Sequence, residues 1–456
     1  MQIGLKDFRA FGDTGLIHVR PLTFLVGENS SGKTSLLAAL NYVWRFQERL
    51  QTASFNRAPF DLGTFDEIVH SVRGRTRPDC FTIFVQNEVV SDNPRRRLAS
   101  AIRREIGRVS GTAKLRLVFG NNVGETELIK LQLDFNEFQL FMEFADDVKA
   151  VVFMGGKKVV DSAGGTSRLP LPRTGSVGTR VDLNFIEIFV SRLMYGDDPA
   201  TLPPEVFTAV TTILAALELL TDSFPRAIFA SAPVRSSPRR VYTPTDQSRS
   251  PEGQHTPQVL FKIKETDAAR WSKIRQGLER FGRMSGLFSK IDVSRYRKSG
   301  SSPFHINVTL KGKQSNLIDV GYGISQALPL LADIIESPPR SAFLFQQPEV
   351  HLHPRAQAAL GSFLAEYVAD HRSSYVVAET HSDYLIDRVR YEVRNGTIRS
   401  GDVSILYFES VGTDVKISQI DLDDEGNLSN VPATYRDFFV IEQMKLLGLD
   451  EDVPSD

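Results

Sequence analysis

The chain has 456 residues, with 54 basic against 55 acidic side chains for a formal net charge of -1, and it is 41% hydrophobic and 24% charged. That is an ordinary globular composition, which excludes a disordered chain and excludes capture of nucleic acid or membrane through overall charge alone. A single cysteine, Cys80, excludes an internal disulfide framework and fits a reducing cytoplasm, and the length exceeds what one hydrophobic core organises, so two or three lobes are expected.

The first residues alternate at Ile3, Leu5 and Phe8, turn at Gly12-Asp13-Thr14-Gly15 and resume at Leu16, Ile17 and Val19, which predicts a hairpin. They lack the charged and apolar regions of a signal peptide. A buried strand through Leu22, Phe24, Leu25 and Val26 then breaks into Gly27-Glu28-Asn29-Ser30-Ser31-Gly32-Lys33-Thr34-Ser35, after which Leu36, Leu37, Leu40, Val43 and Trp44 recur at helical spacing. Strand, G-x-x-x-x-G-K-T loop and helix in that order form a P-loop. The loop N–H groups cradle phosphate oxygens, the positive end of the helix favours their charge, Lys33 reaches the terminal phosphates, and the Thr34 hydroxyl ligates Mg²⁺.

Residues 56–69 read as a loop with aromatic punctuation, and residues 78–155 as strands interrupted by a basic helical segment over 94–108. Its Arg95, Arg96, Arg97, Arg103, Arg104 and Arg108 form either a solvated helix face or a nucleic-acid contact. Residues 161–179, rich in Gly, Ser, Thr and Pro, predict a loop; helical spacing predicts helices over 183–195 and 205–220, with Pro204 at the entry of the second. That second stretch is the longest apolar run, is broken by Thr208, Thr211, Thr212 and Glu218, and is too short to span a bilayer, so a soluble protein without a membrane partner is expected. Residues 236–257, with Pro238, Pro244, Pro251 and Pro257, predict an irregular crossing, and a helix is predicted over 267–281. No repeat or heptad run marks a rod-like arm.

A second glycine-bearing loop, Asp319-Val320-Gly321-Tyr322-Gly323-Ile324-Ser325-Gln326, precedes an apolar helical pattern at Leu328, Leu330, Leu331, Ile334 and Ile335. Alone it is equally a phosphate-binding turn or a simple helix cap. Two further buried strands follow. One, through Ala342, Phe343, Leu344 and Phe345, ends in Gln346-Gln347-Pro348-Glu349-Val350-His351-Leu352-His353-Pro354; the other, through Tyr375, Val376, Val377 and Ala378, ends in Glu379-Thr380-His381-Ser382-Asp383. Ligands bind at the carboxyl ends of such strands. His351, His353, Glu349 and Asp383 also admit a reading as a metal cluster, but the histidines alternate on an extended segment instead of standing four apart on a helix.

P-loop, glycine-rich loop, strand with Q-Q-P-E-x-H-L-H-P and T-H-S-x-x-L, in this order, resemble the ABC-type ATPases of the OLD-like (overcoming lysogenization defect) group. The likeness extends over nearly the whole length, since residues 233–240 and the stretch around Gly253 also resemble family segments. The resemblance implies an α/β, ABC/SMC-type P-loop ATPase head with a mixed sheet and a large inserted region: an N-terminal lobe over 1–85, an insertion over 86–312 and a C-terminal lobe over 313–456. It implies ATP and Mg²⁺ bound by Gly27, Asn29, Ser30, Ser31, Gly32, Lys33, Thr34 and Ser35, with Gly323 and Ser325 completing the site across a head-to-tail homodimer or higher oligomer. Gln346 then lies at the metal position, Gln347 beside the attacking water, and His381 senses the terminal phosphate.

Where the family has an acid that holds the Mg²⁺ water shell this chain has Gln346, the rarer change, and where many members have the water-polarising glutamate it has Gln347, a residue common at that position in the group; an amide cannot act as a carboxylate base. A neutral Gln347 still orients water, as glutamine does in some GTPases, so ATP hydrolysis is expected to be slow. Glu349 and Glu379 are the nearest carboxylates able to substitute. About seventy residues follow His381, reading as strands over 403–409 and 415–420, a turn at Asp424-Glu425-Gly426-Asn427 and a terminal helix, with no Toprim nuclease constellation. The build therefore resembles the ATPase subunits of anti-phage systems such as PARIS or Septu, which implies a separate nuclease effector in trans. Two alternatives remain at this level. One is an SMC-like DNA-binding repair ATPase, its duplex lined by the arginines at 95–108, 235–240 and 295–298; the other is a P-loop kinase or GTPase.

Overall fold

The structure is a computed structural model that describes residues 1–46, 55–72, 74, 76–91, 109–145, 148–161, 186, 203–245, 248–296, 302–435 and 444. The basic segment at 94–108, most of the loop at 161–179, the helix expected over 183–195 apart from Ile186, Lys298 and the terminal helix apart from Met444 lie outside the described residues.

Two sheets dominate. The first has nine strands: β1 (Gln2–Phe8), β2 (Phe11–Asp13) and β3 (Ile17–His18) form the expected N-terminal hairpin, and β1 also pairs antiparallel with β7 (Cys80–Ser91). From β7 the chain meanders through β8 (Val109–Asn122), β9 (Glu125–Phe135), β10 (Phe138–Phe144), β11 (Val148–Met154) and β12 (Lys157–Asp161), each antiparallel to the last. In β9, Leu131, Leu133 and Phe135 are buried while Lys130, Gln132 and Asp134 alternate with them, as expected for a sheet with one face on the core and one in water. The boundary drawn at 85/86 thus falls inside β7, where Ile3 pairs with Val85 in one ladder. Residues 86–161 continue the N-terminal sheet instead of starting a separate insertion.

The second sheet carries the P-loop. Its order is β13 (Ala227–Ser231), β17 (Ser341–Gln346), β18 (Tyr375–Glu379), β4 (Leu22–Gly27), β19 (Val403–Val411), β20 (Asp414–Leu422) and β21 (Leu428–Ser429), parallel from β13 to β19 and antiparallel beyond. All six residues of β17 are buried, the pattern of a parallel strand covered on both faces. Strand β13 at one edge comes from the middle of the chain, so that region contributes to the central sheet as well.

Helix α1 (Lys33–Arg45) follows β4 and lies between the sheets. Its apolar residues surround the helix axis, as a fully buried helix requires: Tyr42 meets Phe119 of β8 edge-on at 5.2 Å between ring centres, and Trp44 meets Tyr375 of β18 at 5.4 Å. Residues 56–69, expected to be a loop, contain the two-stranded ribbon of β5 (Asn56–Arg57) and β6 (Phe60–Asp61) and a one-turn helix, α2 (Phe65–Ile68). The helix is started by a capping box in which Glu67 accepts from the Thr64 N–H at 2.8 Å, a T-x-x-E signal legible in the sequence. Helix α3 (Pro204–Asp222) starts at Pro204 as expected and packs beneath β7 to β12. At 19 residues it exceeds the stretch expected from sequence, and by length and composition it could cross a membrane; 61% of its most apolar 18-residue stretch is buried inside the protein.

On the other face of the central sheet lie α4 (Thr256–Thr266), α5 (Ala268–Ser285), α6 (Tyr322–Glu336), α7 (Pro354–Asp370) and α8 (Asp383–Arg394), with a small sheet of β14 (Lys290–Arg295), β15 (Phe304–Leu310) and β16 (Lys313–Asn316). Helix α4 was not expected; Asp267, which ends it, also caps α5 by accepting from the Arg270 N–H at 2.9 Å. The boundary at 312/313 cuts the β15–β16 hairpin, where Leu310 pairs with Lys313.

Candidate active site

The P-loop leaves the carboxyl end of β4 through residues that bend it sharply. Gly27 (φ 134), Ser30 (φ 62) and Gly32 (φ 86) all have positive φ. A Cβ on Gly27 would collide with the Phe408 carbonyl of β19, and one on Gly32 would stand 2.7 Å from the Phe11 ring, so only glycine fits either place. The loop opens on a cleft of about 500 Å³ whose lining includes Arg9, Ser30, Gly32, Lys33, Thr34 and Glu379.

Lys33 is 2% exposed and folds back on its own loop, donating to the Gly27 carbonyl at 3.0 Å, to the Glu28 carbonyl and, at 3.4 Å, to Ser31 Oγ. Burial lowers its pKa, and the charges of Glu379 and Glu28 act against that shift. Two neutral carbonyls leave a buried ammonium under-compensated, so an entering phosphate gains a charge-assisted bond in exchanging with them. Ser31 Oγ donates to the Glu28 carbonyl at 2.7 Å and holds the loop; Asn29 is exposed and Ser35 buried on the first turn of α1.

Strand register brings the other groups to the same edge. Glu379 pairs with Leu25 on one side and Gln346 on the other, so β18 lies between the P-loop strand and the strand that ends in Gln346. Thr34 Oγ1 donates to Glu379 Oε2 at 2.8 Å. The carboxylate beside the Thr34 hydroxyl therefore comes from β18, while Gln346, expected there, is buried on β17 with its Nε2 unpartnered among the described residues. Gln347 follows in a left-handed turn (φ 45), and its N–H donates to the Glu379 carbonyl at 2.9 Å.

A hard cation such as Mg²⁺ takes oxygen ligands, and the Thr34 hydroxyl and the Glu379 carboxylate bonded to it supply two of them. The residues fit the ion that a P-loop uses.

Glu349 Oε1 accepts from the His381 N–H at 2.8 Å, whereas its Oε2 has no partner among the described residues, and burial raises its pKa. That bond fixes the His381 backbone and leaves the imidazole exposed at the end of β18. Ser382 caps α8, accepting from the Leu385 N–H at 3.1 Å and donating to Gln357 Oε1 at 2.6 Å. His351 (φ 65) stands edge-on to Tyr322 and His353 caps α7, and among the described residues no group of histidines, cysteines and acids is placed to hold a metal.

Gly323 and Ser325 do not join this cleft within one chain. Helix α6 begins at Tyr322, which turns both inward: Ser325 is 6% exposed with Oγ donating to the Tyr322 carbonyl at 2.7 Å, and a Cβ on Gly323 would be 2.9 Å from the His351 carbonyl. Gly321 and the half-exposed Tyr322 form the surface of that turn. The arginines grouped as a nucleic-acid surface separate likewise: Arg235 is 2% exposed, Arg240 pairs with Asp319, and Arg295 pairs with Glu265 at 2.7 Å. Sequence reasoning grouped Arg235 with duplex-lining arginines; its burial was not legible because it lies in an irregular proline-rich stretch without periodicity.

Residues 211–387 match the family model described as "AAA domain, putative AbiEii toxin, Type IV TA system", less than half of the chain. A search of the curated proteins found no match. Similar solved structures include an Smc head bound to the C-winged helix domain of ScpA (TM-score 0.43, 10% identity, covering 92% of this chain and 97% of that one). Others are the SMC head domain from Thermotoga maritima (0.37, 11%, 92% and 98%) and the Smc head from Pyrococcus furiosus with an extended coiled coil, bound to the C-terminal domain of ScpA (0.42, 10%, 99% and 99%). The α/β fold and the P-loop with its strand-end carboxylate are those of a P-loop nucleotide-binding ATPase, and the region that includes Glu379 is similar to an AAA domain.

Proposed function

We propose that this chain binds ATP with Mg²⁺ at Lys33 and Thr34, splits it slowly, and closes as an ATP-bridged pair of chains that controls a separate nuclease in defence against phage. The observation that carries the reading is the hydrogen bond from Thr34 Oγ1 to Glu379, which puts a carboxylate where β17 offers only amides. Mg²⁺ held there would neutralise charge on the phosphates as a Lewis acid. Lys33 exchanges its loop carbonyls for the terminal phosphates, and the loop N–H groups hold the oxygens in place. Gln347 orients the attacking water but accepts no proton as a base, so turnover is slow.

The exposed turn at Gly321 and Tyr322 and the exposed His381 support a second chain as the partner that completes the site, with Gly323 and Ser325 shaping that turn from within. The family description names a toxin of a type IV toxin–antitoxin system, a setting with a second gene product, and this supports an effector in trans. The free Cys80 is in keeping with the cytoplasm. The test is plating of phage on cells carrying this gene with its neighbouring gene. Restriction that Lys33→Ala abolishes is expected; equal plating with and without the pair rejects the defence role, and absence of ATP-dependent self-association rejects the closed pair.

A further inference from the structure

The irregular crossing from β13 to α4 passes directly behind the site, and Arg235 within it is bonded on both sides. Its Nη1 donates to the Gln326 carbonyl of α6 at 3.3 Å; its Nη2 donates to the Gln347 carbonyl at 3.0 Å and the Gln346 carbonyl at 3.4 Å. Gln326, 1% exposed, returns the contact: its Oε1 accepts from the Arg235 N–H at 3.3 Å and its Nε2 donates to the Arg235 carbonyl at 3.4 Å. One guanidinium thus ties the second turn of α6, whose first turn starts at Tyr322, to the turn bearing Gln347. The connection continues: Gln347 N–H bonds the Glu379 carbonyl, and the Glu379 side chain bonds Thr34.

Packing alone does not explain this arginine. Among the described residues it forms no ion pair in direct contact and its Nε has no partner; the Glu349 charge acts on it only through space, and burial lowers its pKa to about 10. A buried cation bonded mainly to neutral carbonyls costs stability that an apolar side chain of similar volume would not. What the guanidinium supplies is geometry, a rigid fork that reads carbonyls from two elements at once.

We infer that Arg235 is a positioning residue for ATP hydrolysis, locking the Gln346–Gln347 turn to helix α6 so that the placement of the exposed Tyr322 end of α6 sets the placement of Gln347. This rests on the proposed ATPase reading. The P-loop is not among the contacts of Arg235, so binding of ATP by one chain is independent of it, whereas the orientation of water by Gln347 is not.

The experiment measures phosphate release and binding of a fluorescent ATP analogue by the full chain and its Arg235→Met, Arg235→Lys, Gln347→Ala and Arg235→Met/Gln347→Ala variants. Arg235→Met is expected to keep analogue affinity and KM within about threefold and to lower kcat at least about thirtyfold, without loss of thermal stability. Because both residues act on one turn, the double variant is expected to fall no further than the lower single variant. Arg235→Lys keeps the charge but not the fork, and its kcat is expected to drop at least about tenfold; it serves as the test where the methionine variant misfolds. A kcat for Arg235→Lys within threefold of the parent, or losses in the double variant that multiply, overturns the inference. A parent chain that binds ATP but releases no phosphate overturns both the hydrolytic reading and this one, whereas a hydrolysing parent with unaffected Arg235 variants overturns this one alone.

Discussion

Replacing Glu379 by glutamine isolates the contribution of the strand-end carboxylate. Glu379 is 9% exposed and accepts from Thr34 Oγ1 at 2.8 Å, and glutamine keeps the shape and one acceptor while removing the charge. A hydrogen bond to a charged group contributes about 1.5–3 kcal/mol and a neutral one about 0.5–1.5, so the bond alone loses about 1–2 kcal/mol, or roughly fivefold to thirtyfold in rate. Holding the metal's water shell with three neutral groups in place of two neutral groups and an anion adds to that, and we expect kcat to fall about 100-fold. The assay is phosphate release at saturating ATP across a Mg²⁺ titration, with nucleotide binding measured separately in EDTA. The half-saturating Mg²⁺ concentration should rise about tenfold, while binding in EDTA stays within about threefold because Lys33 and the loop N–H groups are untouched. Hydrolysis within threefold of the parent at every Mg²⁺ concentration would show that Glu379 is not the metal-side acid and that another group holds the site.

Gln346→Glu places a second buried carboxylate in register with Glu379. Without cation the pair repel, and Tm in EDTA should fall by about 4 °C; Mg²⁺ with ATP should restore it, and a variant insensitive to Mg²⁺ would count against a metal site there. Gly321→Arg meets open space on the exposed turn before α6, so monomer Tm should hold within about 2 °C while ATP-dependent self-association, read by light scattering, is lost. This variant replaces the more obvious Ser325→Arg, which would force a cation into a buried position and confound folding with assembly. For Glu349, whose pKa is raised above the usual 4.5 by burial, the folded state holds the proton more tightly than the unfolded state. Relative to Glu349→Gln, the parent should therefore gain stability as pH falls through the folded pKa toward 4.5 and gain nothing further below it. Urea unfolding midpoints at about pH 7.5 and about pH 5 measure this, and a difference that stays flat would place the carboxyl in water.

Short-range signals were enough for the nucleotide site. The P-loop needs only the spacing of Gly27, Gly32, Lys33 and Thr34 between an apolar strand and an apolar helix, and the local backbone obeys it. The runs ending in Gln346 and Glu379 were legible as buried parallel strands for the same reason. Sheet membership was not legible, because a β-ladder joins residues far apart: β7 looked like the start of an insertion, yet it pairs with β1, and β13 joins the central sheet across more than a hundred residues of chain.

What the sequence by itself determined is a P-loop between a buried strand and a helix, and two further buried strands ending in Gln346 and Glu379. Only the tertiary structure decided which carboxylate stands beside Thr34, because strand order places β18, not β17, next to the P-loop strand. It also decided that Arg235 is a buried link and not a surface charge, and that Gly321 and Tyr322, not Ser325, face outward. Those outcomes depend on burial and register, which arise from contacts between segments and leave no mark in the spacing of any one of them.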